Sequence, residues 1–187
     1  MGLLRSWVMI YLALTAPLPA SWATESIRLM TSDSTWRYHL GLRPPPGGES
    51  QWRNPDSPLE TWPQGIMPFR YGDGQGGTLV DEMFGRATTL YLRGTFQIDD
   101  PEWFGGIDLQ ADFDDGFQVW INGQPMFNVN APSHPRFDRR ATRSRESGRS
   151  ERFELSCPPG LLRAGENIIC IQGFNISKES SDFYLDV

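Results

Sequence analysis

Residues 112–127 read DFDDGFQVWINGQPMF, and this stretch carries the strongest structural signal in the sequence. Positions from Phe117 to Ile121 alternate between two faces, which is the period of a half-buried β-strand. Asn122-Gly123 follows directly, and this pair favours a type I′ turn because both central residues of that turn have positive φ. The stretch therefore predicts a β-hairpin, with a group of acids and a glycine at its entry.

The same period-two alternation recurs along the chain, whereas helical periodicity is nearly absent. The predicted strands are Trp36–Leu40, Thr88–Ile98, Gly106–Phe113, Phe117–Ile121, Met126–Val129, Arg152–Leu155, Asn167–Phe174 and Asp182–Val187. Turn residues separate these strands from one another. We therefore predict an all-β fold, a jelly-roll β-sandwich of about eight or nine antiparallel strands with long loops, in a single domain over residues 24–187.

Residues 1–23 have the layout of a secretory signal peptide. Arg5 precedes the apolar run Trp7–Leu14, and small residues stand at positions −3 and −1 of a cleavage point before Thr24. The apolar run is shorter than the roughly 20 residues that span a bilayer. We expect export, so that the protein is secreted, periplasmic or at the cell surface; the alternative is an uncleaved N-terminal anchor.

Charge and composition restrict the partners. The formal net charge is −6, and nucleic-acid binding needs clustered cations, so we expect no nucleic-acid partner. The basic residues are concentrated in the loop Asn130–Ser150, which carries six arginines and whose role the sequence leaves open. Removal of residues 1–23 would leave no transmembrane segment.

Two other parts of the chain have distinctive compositions. The segment Arg43–Pro68 holds seven prolines together with Trp52 and Trp62. Proline cannot donate to a sheet ladder, so we predict a long irregular loop that its tryptophans attach to the sandwich. Cys157 and Cys170 flank another loop; export permits a disulfide between them, but two buried thiols fit equally well.

The acids of the opening stretch allow three interpretations. If Phe113 faces the core, then Asp112 and Asp114 face the other way and Asp115 lies in the turn. Vicinal carboxylates repel each other unless hydrogen bonds or a cation offset the charge. They can accept backbone N–H groups in the turn, contact a sugar, or hold calcium, which prefers oxygen ligands.

Several other chemistries lack support. Two histidines and two cysteines without metal spacing do not indicate zinc, and the spacing of the aspartates excludes an EF-hand. The glycine-rich segment Tyr71–Thr78 lacks the lysine and the helix of a phosphate-binding loop. No nucleophile motif is present, and no carboxylate pair has support as a glycosidase pair, so we predict no catalytic residue.

The segment DDGFQVWING, Asp114–Gly123, resembles the galactose-binding-like jelly-roll modules of exported bacterial proteins. Four further stretches resemble these modules in the same order along the chain as in the family: FRYGDGQGGT, TTLYLRGTFQIDD, LLRAGENIICIQGFN and ESSDFYLDV. The third of them has the G-x-N strand that the sugar-binding domain of β-galactosidase-type glycoside hydrolases shares. The resemblance covers most of Trp36–Val187, and the arginine-rich loop departs from it.

The DDG sequence is also similar to the lectin domain related to anthrax protective antigen. In the sugar-binding members of that family, two adjacent aspartates hold calcium, and the calcium holds glycan hydroxyls. Asp114 and Asp115 match that pair, so the resemblance implies that they are metal ligands and that calcium is a possible cofactor.

We therefore expect an exported, non-catalytic carbohydrate-binding module whose partner is a carbohydrate or a cell-surface glycan. The candidate carbohydrate-binding residues are Tyr71, Asp73, Asp115 and Asn130, with Trp103 as a platform for stacking on a sugar ring. The alternative is a structural or protein-interaction β-sandwich of the cell surface without a small ligand. A fragment of a glycoside hydrolase is a weaker alternative.

Overall fold

The computed structural model describes residues 26–57 and 59–187, so the predicted signal peptide lies outside the described residues. The strands are β1 Trp36–Leu40, β2 Gln64–Gly65, β3 Phe69–Tyr71, β4 Thr78–Leu79, β5 Thr89–Ile98, β6 Gly106–Asp114, β7 Gly116–Ile121, β8 Gln124–Val129, β9 Glu151–Ser156, β10 Gly165–Phe174 and β11 Phe183–Asp186. Short 3₁₀ turns occupy Gln51–Arg53, Asp81–Met83 and Pro101–Trp103. No helix in this part of the chain is long and apolar enough to cross a membrane.

The strands form two sheets. One has six strands in the order β2-β1-β5-β10-β7-β8, and the other has five in the order β4-β3-β11-β6-β9. All pairs are antiparallel except β3 with β4, which is parallel. The predicted β-sandwich is confirmed, and each of the eight predicted strands lies within two residues of an observed one. The three additional strands, β2, β3 and β4, have only two or three residues, which is too short for alternation to show.

The core lies between the inner faces of the two sheets, where alternate residues of each strand point inward. From the six-stranded sheet come Leu92 and Ile171, and from the five-stranded sheet come Phe113 and Phe183, all of them buried. The predicted hairpin is present, with β7 and β8 joined at Asn122-Gly123, and both turn residues have positive φ.

The proline-rich segment 43–68, here called the strap, covers the outer face of the six-stranded sheet. A second apolar cluster therefore forms outside the main core, and its members are Trp52, Leu59, Trp62, Tyr91, Trp120, Ile168 and Cys170. The ring of Trp52 packs edge-on against Trp120 and Tyr91, at centroid distances of 5.5 and 5.0 Å. The expectation that the tryptophans attach this segment to the sandwich is confirmed.

Arginines from the sheet satisfy the backbone of the strap. Arg93 on β5 donates to the carbonyl oxygens of Asn54, Pro55 and Ser57, at 3.0, 2.7 and 3.3 Å. Arg37 on β1 donates to that of Trp62 at 2.8 Å. Because prolines prevent a regular ladder, the strap leaves carbonyl groups that need other donors, and guanidinium groups supply them.

The two cysteines lie on different sheets and are free thiols. Cys170 is buried on β10 beneath the strap, and Cys157 follows β9 at the edge of the other sheet. The structure therefore has two free thiols, one buried and one half-buried, and not the disulfide. Burial raises the pKa of the Cys170 thiol to about 12 and also raises the pKa of Cys157.

We predict that Trp52→Ala lowers the free energy of unfolding by about 3–5 kcal/mol, because it removes the central ring of the cluster beneath the strap. Chemical denaturation followed by circular dichroism measures this. The matched control is Trp103→Ala, whose side chain is 83% exposed and whose removal should change stability by less than about 0.5 kcal/mol. Equal effects of the two substitutions would contradict the role of the strap.

We also predict two free thiols per chain in unfolded, unreduced protein, measured by titration with a thiol reagent. In the folded protein Cys170 should not react, because it is fully buried and its thiolate is disfavoured. The half-buried Cys157 should react first. A count of zero thiols in the unfolded chain would instead establish a disulfide.

Candidate functional site

The DDG sequence lies where the chain leaves β6 and enters β7, at one end of the sandwich. The peptide bond between Asp114 and Asp115 is cis. Gly116 is required by close packing, because a Cβ at this position would come within 2.7 Å of the carbonyl oxygen of Val129. The glycine of the motif is thus explained by the approach of the next strand, independently of any ligand.

Asp115 is buried and connects two loops through its carboxylate. Its Oδ1 accepts the backbone N–H of Arg145 at 2.9 Å, and its Oδ2 accepts that of Ile176 at 2.6 Å. Its carbonyl oxygen also accepts the side-chain amide of Asn130 at 2.9 Å. Asp115 therefore follows the first of the three interpretations, but its N–H donors come from distant loops and not from its own turn.

Asp114 is also buried, with only 3% of it exposed, but it lacks the hydrogen bonds that Asp115 accepts. No described residue donates a hydrogen bond to its carboxyl group from a backbone or cationic donor. Its neighbour is the carboxyl group of Asp115, to which Asp114 can donate only when it is protonated. Burial and, after it, the negative charges of Asp115, Asp182 and Glu146 together raise the pKa of Asp114 to about 8.

Three carboxyl groups converge at this end of the sandwich. One oxygen each of Asp114, Glu146 and Asp182 lies within 4.8 Å of the others, and we call these three residues the acid cluster. Within residues 26–57 and 59–187, none of the three forms an ion pair. Their mutual repulsion is therefore not offset by a cation of the protein.

Arg145, which precedes Glu146 in the sequence, forms its contacts outside the acid cluster. The guanidinium of Arg145 stacks on the ring of Phe113 at 3.8 Å and pairs with Asp112 and Glu151, at 3.7 and 3.1 Å. Arg145 also donates to the carbonyl oxygen of Phe113. This arrangement fixes the loop that carries Glu146 while leaving the acid cluster without positive charge.

The donor set of the acid cluster fits calcium. Calcium takes six to eight oxygen ligands at about 2.3–2.6 Å, so two ligand oxygens on opposite sides of the ion are roughly 5 Å apart. The 4.8 Å spread of the three carboxylate oxygens is within that limit. Beside the cluster, the amide nitrogen of Asn175 donates to the carbonyl oxygen of Asp182, whereas the Oδ1 of Asn175 is buried without a partner.

The remaining predicted residues have distinct positions. Tyr71 is buried, and its hydroxyl donates to the carbonyl oxygen of Ser180 at 3.2 Å and accepts from Asn175 at 2.8 Å, so it supports the loop that carries Asp182 and presents no face to a ligand. Burial raises the pKa of Tyr71 to about 12. Asn130 is also held internally, by its bond to Asp115.

Asp73 and Trp103 are exposed, but they lie at different ends of the molecule. Asp73 follows Gly72, where a Cβ would come within 2.4 Å of the carbonyl oxygen of Ser181, so its loop packs next to Asp182. Trp103 lies before Gly106, and β6 from Gly106 to Asp114 spans about 26 Å. The loop of Asp73 thus lies next to Asp182, whereas Trp103 lies before the opposite end of β6.

Glu146 and Asp182 are functional candidates that the sequence analysis missed. Asp182 reaches Asp114 because β11 pairs with β6, with Tyr184 opposite Asp114. Glu146 arrives because the carboxylate of Asp115 holds the adjacent N–H of Arg145. Neither contact has a local signal in the sequence, since both depend on pairing between distant segments.

No family model matches the sequence, and no curated protein matches it. Similar solved structures include a β-glucuronidase of Bifidobacterium dentium, with 15% identity, a TM-score of 0.46, and coverage of 78% of this chain and 21% of that chain. A glycosyl hydrolase family 2 member of Bacteroides cellulosilyticus has 18% identity and a TM-score of 0.47, over 80% of this chain and 18% of that one. A β-glucuronidase of an uncultured Clostridium sp. has 14% identity and a TM-score of 0.47, over 80% of this chain and 24% of that one.

The chain thus spans only about a fifth to a quarter of the length of these enzymes. At this level of identity and of structural similarity, the comparisons assign neither a family nor an activity to the chain.

We predict a specific pH dependence of stability from Asp114. The unfolded chain releases this proton near the ordinary pKa of 3.8, whereas the folded protein keeps it until about pH 8. Between these values folding takes up a proton, so the free energy of unfolding falls as the pH rises, by at most about 1.4 kcal/mol per pH unit. Asp114→Asn should remove this fall.

The measurement is urea denaturation between pH 5 and 8 in the presence of a chelator, for the wild type and Asp114→Asn. Asp138→Asn, at an exposed acid, serves as the control and should follow the wild-type curve. Parallel curves for the wild type and Asp114→Asn would show that Asp114 is not protonated in the folded protein.

Proposed function

We propose that the protein is an exported, non-catalytic carbohydrate-binding module that binds calcium at the acid cluster. The observation that carries this proposal is the convergence of Asp114, Glu146 and Asp182 within 4.8 Å, with Asp114 buried and no cation of the described chain between them. Isolated surface acids spread apart in solvent, whereas here a buried one is held against two others. A divalent cation that prefers oxygen would offset this repulsion.

The three carboxylates of the acid cluster would hold the ion, and Asp115 would keep the two loops that supply them in place. When bound, calcium would offer open coordination positions to pairs of sugar hydroxyls. Asp73, exposed on the adjacent glycine-rich loop, is the side chain best placed to accept hydrogen bonds from the same sugar. The resemblance to lectin domains whose paired aspartates hold calcium supports this proposal.

Trp103 retains its proposed role as a stacking platform, but as a separate contact. Its ring is the most exposed of the large apolar side chains described, at 83%. A single sugar unit cannot touch both Trp103 and the acid cluster, because they are separated by the length of β6. Substitution of Trp103 should therefore leave calcium binding unchanged.

A glycosidase activity is the second candidate, because burial and the neighbouring acids raise the pKa of Asp114 to about 8, the direction that a general acid requires. The oxygens of the acid cluster, within 4.8 Å, are closer together than the roughly 5–10 Å between a catalytic carboxyl pair. We therefore rank it below binding. Hydrolysis of nitrophenyl glycosides that Asp114→Asn abolishes would establish it.

We predict that calcium at millimolar concentration raises the melting temperature of the wild type, because it binds only the folded state. Asp114→Asn and Glu146→Gln should weaken calcium binding at least about tenfold, which corresponds to about 1.4 kcal/mol. Isothermal titration calorimetry measures the affinity. Asp138→Asn, in the same loop as Glu146 but outside the acid cluster, is the matched control.

A glycan array probed with calcium and with a chelator tests the carbohydrate part. Binding should occur with calcium and disappear with the chelator. Binding that persists in the chelator would refute the role of the ion. Calcium binding without binding to any glycan would favour the structural or protein-interaction alternative.

A further inference from the structure

An open cleft lies at the opposite end of β7 from the acid cluster. It has a volume of about 360 Å³ and separates the 3₁₀ turn of the strap from the β7–β8 turn. Ser50, Arg53 and Asn54 line it from the strap, and Asn122, Gly123 and Gln124 line it from the hairpin. No acidic residue lines this cleft. With six residues, β7 separates it from Asp115 by about 20 Å.

Arg53 differs from the other arginines on this face of the sheet. Arg37 and Arg93 donate to carbonyl oxygens of the strap, as described above. Arg53 donates no hydrogen bond to any described residue and forms no ion pair among them, and its Nε is buried without a partner. Its guanidinium is fixed against the ring of Trp120, at 4.7 Å from the centroid.

Glu49, the acid whose charge acts on Arg53, is already hydrogen-bonded to other groups. Glu49 accepts the hydroxyl of Tyr91 at 2.8 Å and the backbone N–H of Phe137 at 3.0 Å, one with each carboxylate oxygen. Burial lowers the pKa of Arg53, and the charge of Glu49 acts in the opposite direction. A guanidinium without protein acceptors can bind a carboxylate through two parallel hydrogen bonds.

We propose that the Arg53 cleft binds the carboxylate group of an acidic saccharide, such as a uronic acid. Arg53 would donate to the carboxylate, and its stacking on Trp120 fixes the orientation of the guanidinium in advance. Ser50, Asn54 and Gln124 supply hydroxyl and amide groups for the hydroxyls of the sugar. Recognition of the carboxylate depends on Arg53 alone, whereas the saccharide part of the inference rests on the proposed function.

The test uses the full chain in the presence of a chelator, so that the acid cluster does not contribute. D-glucuronate, D-glucose and acetate are titrated separately, and binding is followed by calorimetry and by amide chemical shifts. We expect D-glucuronate to bind and to shift the amide signals of Gly123 and Gln124. D-glucose should not bind, and acetate should bind at least about tenfold more weakly than D-glucuronate.

Variants identify the group responsible. Arg53→Gln should weaken D-glucuronate binding at least about tenfold, and Arg53→Lys less, because lysine keeps the charge but not the paired donors. Arg86→Gln, at an exposed arginine outside the cleft, should have no effect. An unchanged calcium-induced shift in melting temperature for Arg53→Gln would show that this variant is folded and that the two sites are independent.

Four results would overturn the proposal. Binding of D-glucuronate by Arg53→Gln with wild-type affinity would remove Arg53 from the site. Equal affinity for D-glucose would show that the site does not recognise the carboxylate. Equal affinity for acetate would establish a carboxylate site without a saccharide, while leaving the calcium-dependent function to be tested by its own experiment. Shifts confined to amides outside the cleft would place the ligand elsewhere, even if no variant folds.

Discussion

The carboxylate of Asp115 is the interaction on which the site depends. It accepts one backbone N–H from the arginine-rich loop and one from the loop before β11, so two long loops are fixed to the end of β6. Hydrogen bonds to an ionised acceptor are stronger than neutral ones, and these two are buried. These N–H groups bind Asp115 and not the adjacent Asp114. Asp114 instead lies close to Glu146 and Asp182, which the same loops carry.

The strap is also an irregular segment that side chains attach to the sandwich. A proline-rich segment cannot join a sheet through a ladder, so it is held by tryptophans and by arginines that donate to its carbonyl oxygens. The segment buries the outer face of β10, which is why that strand is apolar on both faces. Arg53 is the exception, since it stacks on Trp120 but has no acceptor.

Both candidate sites are therefore ionisable groups that lack a partner of opposite charge among the described residues. Acidic residues without a cation collect at the end of the sandwich where β6 meets β7, and an arginine without an acceptor lies near the β7–β8 turn. A net charge of −6 describes neither of them. In each site the neighbouring protein groups supply no partner of opposite charge. A ligand of opposite charge would supply that partner.

The sequence by itself determined eight of the eleven strands, the Asn122-Gly123 turn and the attachment of the strap, because alternation and turn chemistry are properties of neighbouring residues. It also singled out Asp114 and Asp115 as adjacent carboxyl groups that need hydrogen bonds or a cation. Only the tertiary structure decided which groups surround each of them. The pairing of β11 with β6 brings Asp182 to Asp114, and the loop bound by Asp115 brings Glu146, so these contacts join segments far apart in the chain and leave no local pattern.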